Sequence, residues 1–562
     1  MNKIWKIKEI DNTKVKEYVE KFKISEVAAK MLLAKDLTED KIEEYLNPSI
    51  EKLHDPYLLN DMDILVDRII LAQDRKEKVA IYGDYDVDGI TSITLIYTFL
   101  RDLGLDMVYY LPDRIEEGYG LNTEALKKLK DDGVSLVITV DCGISAVNEV
   151  EYAKSIGLDV CITDHHECSD TLPKAISIVN PKRPDSTYPF NSLAGVGVTF
   201  KVLSAIVKRL GLDENEYLKY LDIAAVGTIA DIVPLVGENR IITANGLELL
   251  AKTKNEGLKA LMKVARIEKV DSDNVSFGIA PRINASGRMA DATVAVKMLL
   301  AENEMEAYKY AKVLDAQNTK RQEVEKGIYN EAIAQIERDG LDKKKTMVIA
   351  GENWHQGVIG IVASKLTEKY LKPVILLAHD GETAKGSGRI PAGISLYDAL
   401  SLCADLLTTF GGHELAAGLT LEARNIEAFR EKFEQVITSM KEEDFVRIID
   451  VDTEITKKDI TLNILDDINL LAPFGQKNKK PVFMYKNLKV TSVSTLKEDK
   501  HLKFRLSDGD FYVDAVFFGA GNRRDEVTLG DKIDVAVNIS LNEFQGRKSI
   551  QFLMSDFKKS MM

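Results

Sequence analysis

Directly after an apolar run, the segment Gly83-Asp84-Tyr85-Asp86-Val87-Asp88-Gly89 sets three carboxylates at alternate positions. Three such groups cannot all face a dry core, because an unpaired buried carboxylate costs too much. Capping of a following helix would account for one of them. The calcium EF-hand loop shares the D-x-D-x-D-G pattern, but its Glu six residues beyond the glycine is missing, that place being Leu95. Three more polar clusters follow apolar segments: Asp141-Cys142-Gly143, Thr163-Asp164-His165-His166, and Ala230-Asp231-Ile232-Val233-Pro234-Leu235. Taken singly, Asp141 or Asp231 reads as a cap or turn residue, and a histidine pair is most often bland. Four clusters at the ends of strands or apolar segments point together to a metal site.

The ligand types set the chemistry. Carboxylates with one or two imidazoles and no thiolate suit Mn²⁺ or Mg²⁺ over a structural zinc, and the imidazole tilts the choice to Mn²⁺. There are more ligands here than one octahedral ion with its waters needs. Two ions roughly 3.5–4 Å apart, sharing a bridging carboxylate, would activate a water for in-line attack on phosphorus.

These clusters need strands and helices to hold them. Residues 78–82, 136–140 and 160–163 are short, unbroken apolar runs of the kind that form buried parallel strands. Helical spacing over 90–103 and 123–130 lies between them, which predicts βαβ units and a doubly wound α/β sheet. Ligands in such sheets bind at the carboxyl ends of the strands, where the acids sit. Residues 302–338 read as one long connecting helix; apolar heptads are not sustained and Gly327 interrupts the pattern, which argues against a coiled coil. A second α/β unit follows, with strands at 346–350 and 373–378 around a helix from Gly357 to Tyr370. After residue 447 short alternating segments such as 511–518 predict a small all-β barrel or sandwich.

The motifs Asp84-Tyr-Asp-Val-Asp-Gly, Val140-Asp-Cys-Gly, Asp164-His-His and Ala230-Asp-Ile-Val-Pro-Leu resemble, in this order, those of the DHH phosphoesterase superfamily. Leu111-Pro-Asp-Arg with Gly118-Tyr-Gly, and Pro281-Arg-Ile-Asn-Ala-Ser-Gly-Arg, resemble its single-strand-specific exonuclease family in particular. Gly351-Glu-Asn-Trp-His-Gln-Gly-Val-Ile-Gly, Gly386-Ser-Gly-Arg and Gly411-Gly-His-Glu-Leu-Ala-Ala-Gly resemble the associated DHHA1 domain. The resemblance runs from about residue 50 to the end. It implies an N-terminal segment (1–50), a DHH domain with a parallel sheet (51–265), an interconnecting helical region (266–340), a DHHA1 domain (341–446) and a C-terminal OB-fold barrel (447–562).

By the same resemblance Asp86 and Asp141 would hold one ion with help from Asp84, and Asp88, Asp141, His165 and Asp231 a second, with Asp141 as the bridge. His166 would orient a ligand or the phosphate, and Asp164 would brace the loop. Cys142, beside the bridging acid, reads as a small residue packed under the metals, not a nucleophile. Arg114, Ser387 and Arg389 match a pocket for a 5′-terminal phosphate, and Arg288 and His413 match contacts to phosphates near the metals. His355 fits either a DNA contact or a packed corner with Trp354. Arg282 fits either a phosphate contact or an intramolecular ion pair. In the OB segment, Lys477–Lys480, Arg523-Arg524 and Arg547-Lys548 are interleaved with phenylalanines, as single-strand binders require, although most of those rings must fill the barrel.

The family therefore implies a 5′→3′ exonuclease that degrades single-stranded DNA to 5′-mononucleotides in recombination and repair, with single-strand-binding protein and a RecQ-type helicase as candidate partners. Two rivals stand beside it. A relative acting on short oligonucleotides or cyclic dinucleotides usually ends after its DHHA1 domain, whereas this chain continues. A non-catalytic replication scaffold predicts eroded ligands, and every expected acid and histidine is present.

The bulk properties agree. At roughly 150 residues per domain, 562 residues predict three or four domains. With 45% hydrophobic and 29% charged residues the chain has a soluble composition, and no apolar run approaches membrane-spanning length. The N-terminus lacks the uninterrupted apolar core of a signal peptide. Four cysteines without a CxxC pair suit reduced thiols in the cytoplasm. The net charge of −14 leaves nucleic-acid binding open, because phosphate affinity depends on a local basic groove.

Overall fold

The computed structural model describes residues 3–113, 117–118, 120–441 and 445–560. Strand β1 (Ile4–Ile7) opens the chain and is followed by three short helices ending at Leu46. The first parallel sheet contains β2 (Lys78–Gly83), β3 (Asp106–Tyr110), β4 (Val134–Val140), β5 (Asp159–Thr163) and β6 (Ser177–Val179). Its order is β3-β2-β4-β5-β6, and every neighbouring pair is parallel. The strands are apolar throughout because both faces are covered. The helices Val87–Asp102 and Gly195–Leu210 fill one face, and Thr123–Asp131 and Val147–Ser155 fill the other. The direction in which strands are added reverses between β2 and β4. Their carboxyl ends therefore diverge into a crevice, and the loops that begin at Asp84 and Asp141 open into it.

The helix Glu304–Asp339 holds the two halves together. Its N-terminus is closed by Asn303, whose side chain accepts from the Glu306 N–H, and its C-terminus by Gly340 at φ 62°. At about 1.5 Å per residue its 36 residues extend roughly 54 Å. Ala307, Ala311 and Leu314 pack into the core of the first sheet, while Ile328, Ala332 and Ile336 pack into that of the second. Gly327 does not break the helix; a glycine there costs only about 1 kcal/mol.

The second sheet is built from β7 (Met347–Glu352), β8 (Val374–His379), β9 (Thr383–Arg389), β10 (Thr409–Gly412) and β11 (Ala416–Glu422), in the order β10-β11-β9-β8-β7. Only β7 and β8 run parallel; the helix Gln356–Tyr370 connects them. Beyond it, β12 (Ile448–Val451) and β13 (Thr453–Glu454) lead into β14 (Phe483–Leu496), β15 (His501–Asp508), β16 (Phe511–Phe517), β17 (Lys532–Phe544) and β18 (Arg547–Lys559). Pairing of β14 with β17 closes these last five strands into a barrel, removing its exposed edges.

Residues 3–50, within the segment to which the sequence assigned no chemistry, have a packing role. β1 lies parallel to β12, pairing Ile4 with Ile448 and Ile7 with Val451. Val15, Met31, Leu32, Ile42 and Tyr45 share one apolar core with the barrel. Among the described residues no helix is long and apolar enough to cross a membrane.

Candidate metal centre and strand-binding cavity

The loop after β2 is folded by its own polar groups. Asp86 caps the Val87–Asp102 helix, its Oδ1 accepting from the N–H groups of Asp88 and Gly89 at 2.9 and 3.1 Å. The turn is so tight that a Cβ on Gly89 would lie 2.4 Å from the Asp84 carbonyl oxygen. Asp88 points back across the sheet. Its two carboxylate oxygens accept from the N–H groups of Gly195 and Val196, each at 2.7 Å, at the start of the Gly195–Leu210 helix. The partial positive charge of that helix end suits a carboxylate.

Asp141 follows β4 with φ at 59°, a left-handed conformation uncommon for a residue other than glycine. Its N–H bonds to the Thr163 carbonyl, and its side chain lies against Gly195, where a Cβ would sit 2.6 Å from Asp141 Oδ1. Asp164 ties the neighbouring backbone together. One of its oxygens accepts from the Ile144 N–H, and the other contacts the N–H groups of His165 and His166 and the His166 Nδ1 at 2.8 Å. His166 is thereby fixed with Nε2 as its outward nitrogen. Asp231 terminates the helix Leu221–Ala230; the fourth cluster therefore follows a helix, and not a strand as the other three do. Cys142 is buried, its Sγ 3.7 Å from the Tyr82 carbonyl oxygen, and burial pushes its thiol well above the usual range, which removes it as a nucleophile.

These loops bring the acids and His165 together. His165 Nε2 lies 3.1 Å from Asp141, 3.7 Å from Asp231 and 3.8 Å from Asp88. Two sets of potential ligands result, Asp84 with Asp86 and Asp141, and Asp88 with His165 and Asp231, each with ligand atoms within 4.8 Å of one another. A third, Asp141 with His165 and His166, overlaps both. Burial, reinforced by neighbouring carboxylates, raises Asp141 and Asp231 well above the normal carboxylate range and Asp88 to about 7. Burial, together with the adjacent His166, lowers His165 to about 3, so its ring is neutral and able to ligate. Burial depresses His166, but the hydrogen bond and charge of Asp164 outweigh it and leave its pKa raised. Among the described residues, His165 Nε2 and Asp231 Oδ2 are buried without a hydrogen bond. Divalent cations fit this donor set, because they would satisfy those atoms and offset the carboxylate repulsion.

Four of the phosphate-binding candidates, His355, Ser387, Arg389 and His413, fall on the second sheet and its connections. Ser387 and Arg389 project from β9, with Arg389 Nη1 3.0 Å from Ser387 Oγ, and Gly360 lies beneath them: a Cβ there would meet Ser387 Oγ at 2.9 Å. Arg288, on the helix Ala280–Met289, reaches across and donates to the Gly357 carbonyl at 2.9 Å. His355 caps the helix that contains both glycines, its Nδ1 accepting from the Gly357 N–H, while Trp354 is buried with its Nε1 on Glu331. His413 is exposed in the β10–β11 hairpin, just before Ala416, which pairs with Arg389. Arg282 is held elsewhere: Nε donates to Asp315 and Nη1 to the Gly278 carbonyl, so the ion-pair alternative is the one observed. Arg114 lies outside the described residues.

Between the domains is a cavity of about 960 Å³, bordered by the loop that carries Asp231, by the helix containing Arg288, by the long connecting helix and by Phe474–Gln476. Asn284, on its wall, accepts from the Val87 N–H and so touches the acidic loop. The N–H of Leu235 donates to the Gln476 carbonyl at 2.8 Å, linking the Asp231 loop to the segment that enters the barrel. Sequence reasoning assigned no role to Gly195, Val196, Asn284 or Gln476. Asn284 lay within the quoted motif Pro281-Arg-Ile-Asn-Ala-Ser-Gly-Arg, and the glycines of Gly195-Val196-Gly197, inside an apolar helix, gave a further signal.

Comparison with known proteins places the motifs in context. The chain matches the DHH family N-terminal domain over residues 78–228, the DHHA1 domain over 343–439 and the RecJ OB domain over 451–556. The single-stranded-DNA-specific exonuclease RecJ of Bacillus subtilis is 40% identical over 559 residues, covering 98% of this chain and 70% of that protein. Its namesake in Escherichia coli K12 is 34% identical over 507 residues, covering 85% and 87% of the two chains. The crystal structure of Thermus thermophilus RecJ in complex with Mn²⁺ superposes with a TM-score of 0.86 at 28% identity, over 100% of this chain and 80% of that one. A second Thermus structure, with Mg²⁺, gives 0.80 at 26% identity, over 100% and 79%.

Proposed function

The chain belongs to the RecJ family of single-stranded-DNA-specific exonucleases, and from this we propose that it hydrolyses single-stranded DNA in the 5′→3′ direction to 5′-mononucleotides. The observation that carries the reading is the pair of ligand sets, linked by a third that contains both Asp141 and His165, beside a cavity lined by Arg288, Arg321, Lys326 and Lys365. Asp84, Asp86 and Asp141 would hold one divalent ion, and Asp88, Asp141, His165 and Asp231 the other, as Mn²⁺ or Mg²⁺. Such ions supply Lewis-acid polarisation of the phosphoryl oxygens and an acidified water.

The protein's own groups position the strand. Arg288 would meet a phosphate oxygen through the forked guanidinium geometry that suits phosphate. Ser387 and Arg389, with Arg114, would take a terminal 5′-phosphate, and their distance from the ligand sets would then determine how many nucleotides lie between the chain end and the cleaved bond. That arrangement is the basis for the 5′ polarity. His166, its Nδ1 held by Asp164, would present Nε2 to the substrate or to an ordered water. Exonucleolytic trimming of this kind belongs to DNA recombination and repair in the cytoplasm, with single-strand-binding protein and a RecQ-type helicase as partners.

Digestion of a 60-nucleotide single strand labelled at either end, in Mn²⁺ and beside Asp141→Ala, tests the reading. Early release of labelled mononucleotide from the 5′ end, absent with the variant and with blunt duplex, is expected. Release from the 3′ end first, or attack confined to dinucleotides, would refute it.

A further inference from the structure

We infer that Phe277 is a stacking platform for a base of the bound strand, on the approach to the cleavage site. The inference rests on the single-strand nuclease reading above and adds a contact to the base, where the residues discussed so far address phosphate.

Phe277 is 80% exposed, an extreme for a phenylalanine that its local backbone explains. The chain from Val275 to Ile279 forms one turn of π-helix, in which the Ala280 N–H bonds to the Val275 carbonyl five residues back. Pro281 follows. An α-helical register would require its missing N–H to donate to the Phe277 carbonyl and would drive its ring into that carbonyl. Widening the turn avoids the clash, and it also carries Phe277 out of the core. Turns of this kind recur at functional sites. Nothing in the packing requires a large aromatic ring at this position, since Val275 and Ile279 supply the buried contacts of the turn.

The ring lines the cavity described above, and so does Ile232, which is 71% exposed. Ile232 immediately follows Asp231 and has φ at 61°, a conformation that is a rare outlier for a β-branched residue. Two large apolar side chains thus face solvent within one cavity, one of them next to a proposed metal ligand. The charged groups around the cavity are of the opposite character to the chain as a whole. Arg288, Arg321, Lys326 and Lys365 line it against one carboxylate, Glu325, which pairs with both Arg321 and Lys365, so the lining retains a net positive charge in a protein of net charge −14. Exposed rings over a cationic track suit single-stranded nucleic acid, whose phosphates need the cations and whose unpaired bases offer flat apolar faces. A peptide or lipid occupant would use the apolar pair but not a local excess of cations continuous with a carboxylate metal centre. Stacking on Phe277 reads no sequence, because every base has the same kind of face.

The test uses the full chain with Mn²⁺ and 5′-phosphorylated oligothymidylate 20-mers, either intact or with a single abasic nucleotide at successive positions from the 5′ end. Phe277→Ala should lower kcat/KM on the intact strand by about 5- to 100-fold, carried mainly by KM, and Phe277→Trp should restore it. For the wild-type enzyme an abasic nucleotide at one position should cost a similar factor, and in Phe277→Ala that position should cost little more. Thermal melting and its response to Mn²⁺ should be the same in all three proteins. Equal kcat/KM for wild type and Phe277→Ala overturns the inference, as does an abasic penalty of the same size in both. A wild-type enzyme that cleaves no strand would overturn the nuclease reading itself, an outcome visible before any variant is compared.

Discussion

Gly195→Ala should damage the metal centre while leaving the fold intact. Gly195 starts a helix and its φ is not in the left-handed region, so alanine suits its backbone and adds up to about 1 kcal/mol of helix propensity. The added methyl would nevertheless lie 2.6 Å from Asp141 Oδ1, 2.7 Å from its Cβ and 2.8 Å from its Cγ. Ordinary contact begins near 3.4 Å, so the carboxylate must retreat by about 0.8 Å. Asp141 has little freedom to do so, because its N–H is bonded to Thr163 between two buried strands. The same methyl bears on the N–H pair that holds Asp88. One substitution thus displaces a carboxylate of the first ligand set, the one proposed above to bridge to the second, and strains the support of another. Loss of such supporting contacts costs about 10- to 100-fold in metal affinity, and a misplacement near 1 Å costs about 100-fold in rate. Calorimetric titration with Mn²⁺ should show a Kd raised by that factor, and kcat on single-stranded DNA should fall by about 100-fold or more, with the metal-free melting temperature within about 2 °C of wild type. Wild-type Mn²⁺ affinity and turnover in Gly195→Ala would refute both the placement of Asp141 and its role as the shared ligand.

Two further outcomes follow from buried charge. Removing one carboxylate from the crowded centre by Asp141→Asn should raise the melting temperature of metal-free protein, because burial and the neighbouring acids disfavour its ionised form. It should also abolish the Mn²⁺-induced rise seen in wild type, about 2.7 kcal/mol of stabilisation at a hundredfold excess over Kd, and differential scanning calorimetry reads both. Lys35 lies where the N-terminal helices meet the barrel, with Asp452, Arg240 and Lys8 around it, and burial lowers its pKa to about 8. Between pH 8 and its normal value of 10.5 the folded state binds fewer protons than the unfolded state, so this residue makes stability rise with pH across that window. Allowing for partial exposure the gain is about 1–2 kcal/mol. Urea midpoints at pH 7.5 and 10 should show the rise in wild type and its absence in Lys35→Met; parallel responses would refute the assignment.

The legible parts of the sequence were those in which chemistry and local structure coincide. Asp84, Asp141 and Asp164 each end an unbroken apolar strand, so periodicity alone placed them on one edge of a parallel sheet. Asp231 was legible as an acid after an apolar segment, but that segment is a helix, and apolar runs of this length do not distinguish the two. Arg282 could not be assigned, because a guanidinium suits a phosphate or a carboxylate equally and Asp315 lies a turn of fold away. The supports were illegible for a different reason. Gly195 and Val196 act through backbone N–H groups, which every residue but proline carries, and Asn284 reaches Val87 across 197 positions of sequence. The exposure of Phe277 depends on a change of helical register set by Pro281, and Phe-Gly-Ile-Ala-Pro reads as ordinary core until the turn is seen.

The parallel pairing of β1 with β12 has a consequence for synthesis. Strand β1 has its partner some 440 residues downstream, since Ile4 pairs with Ile448. At about 5–20 residues per second, that partner emerges roughly 20–90 s later. Throughout that interval Val27, Met31, Leu32 and Ile42, which end wholly or almost wholly buried, have no barrel to cover them. The nascent chain therefore carries a sticky apolar segment until the barrel strands have been made. Completing this core stitches together two segments whose synthesis is separated by most of a minute or more at the slower rates.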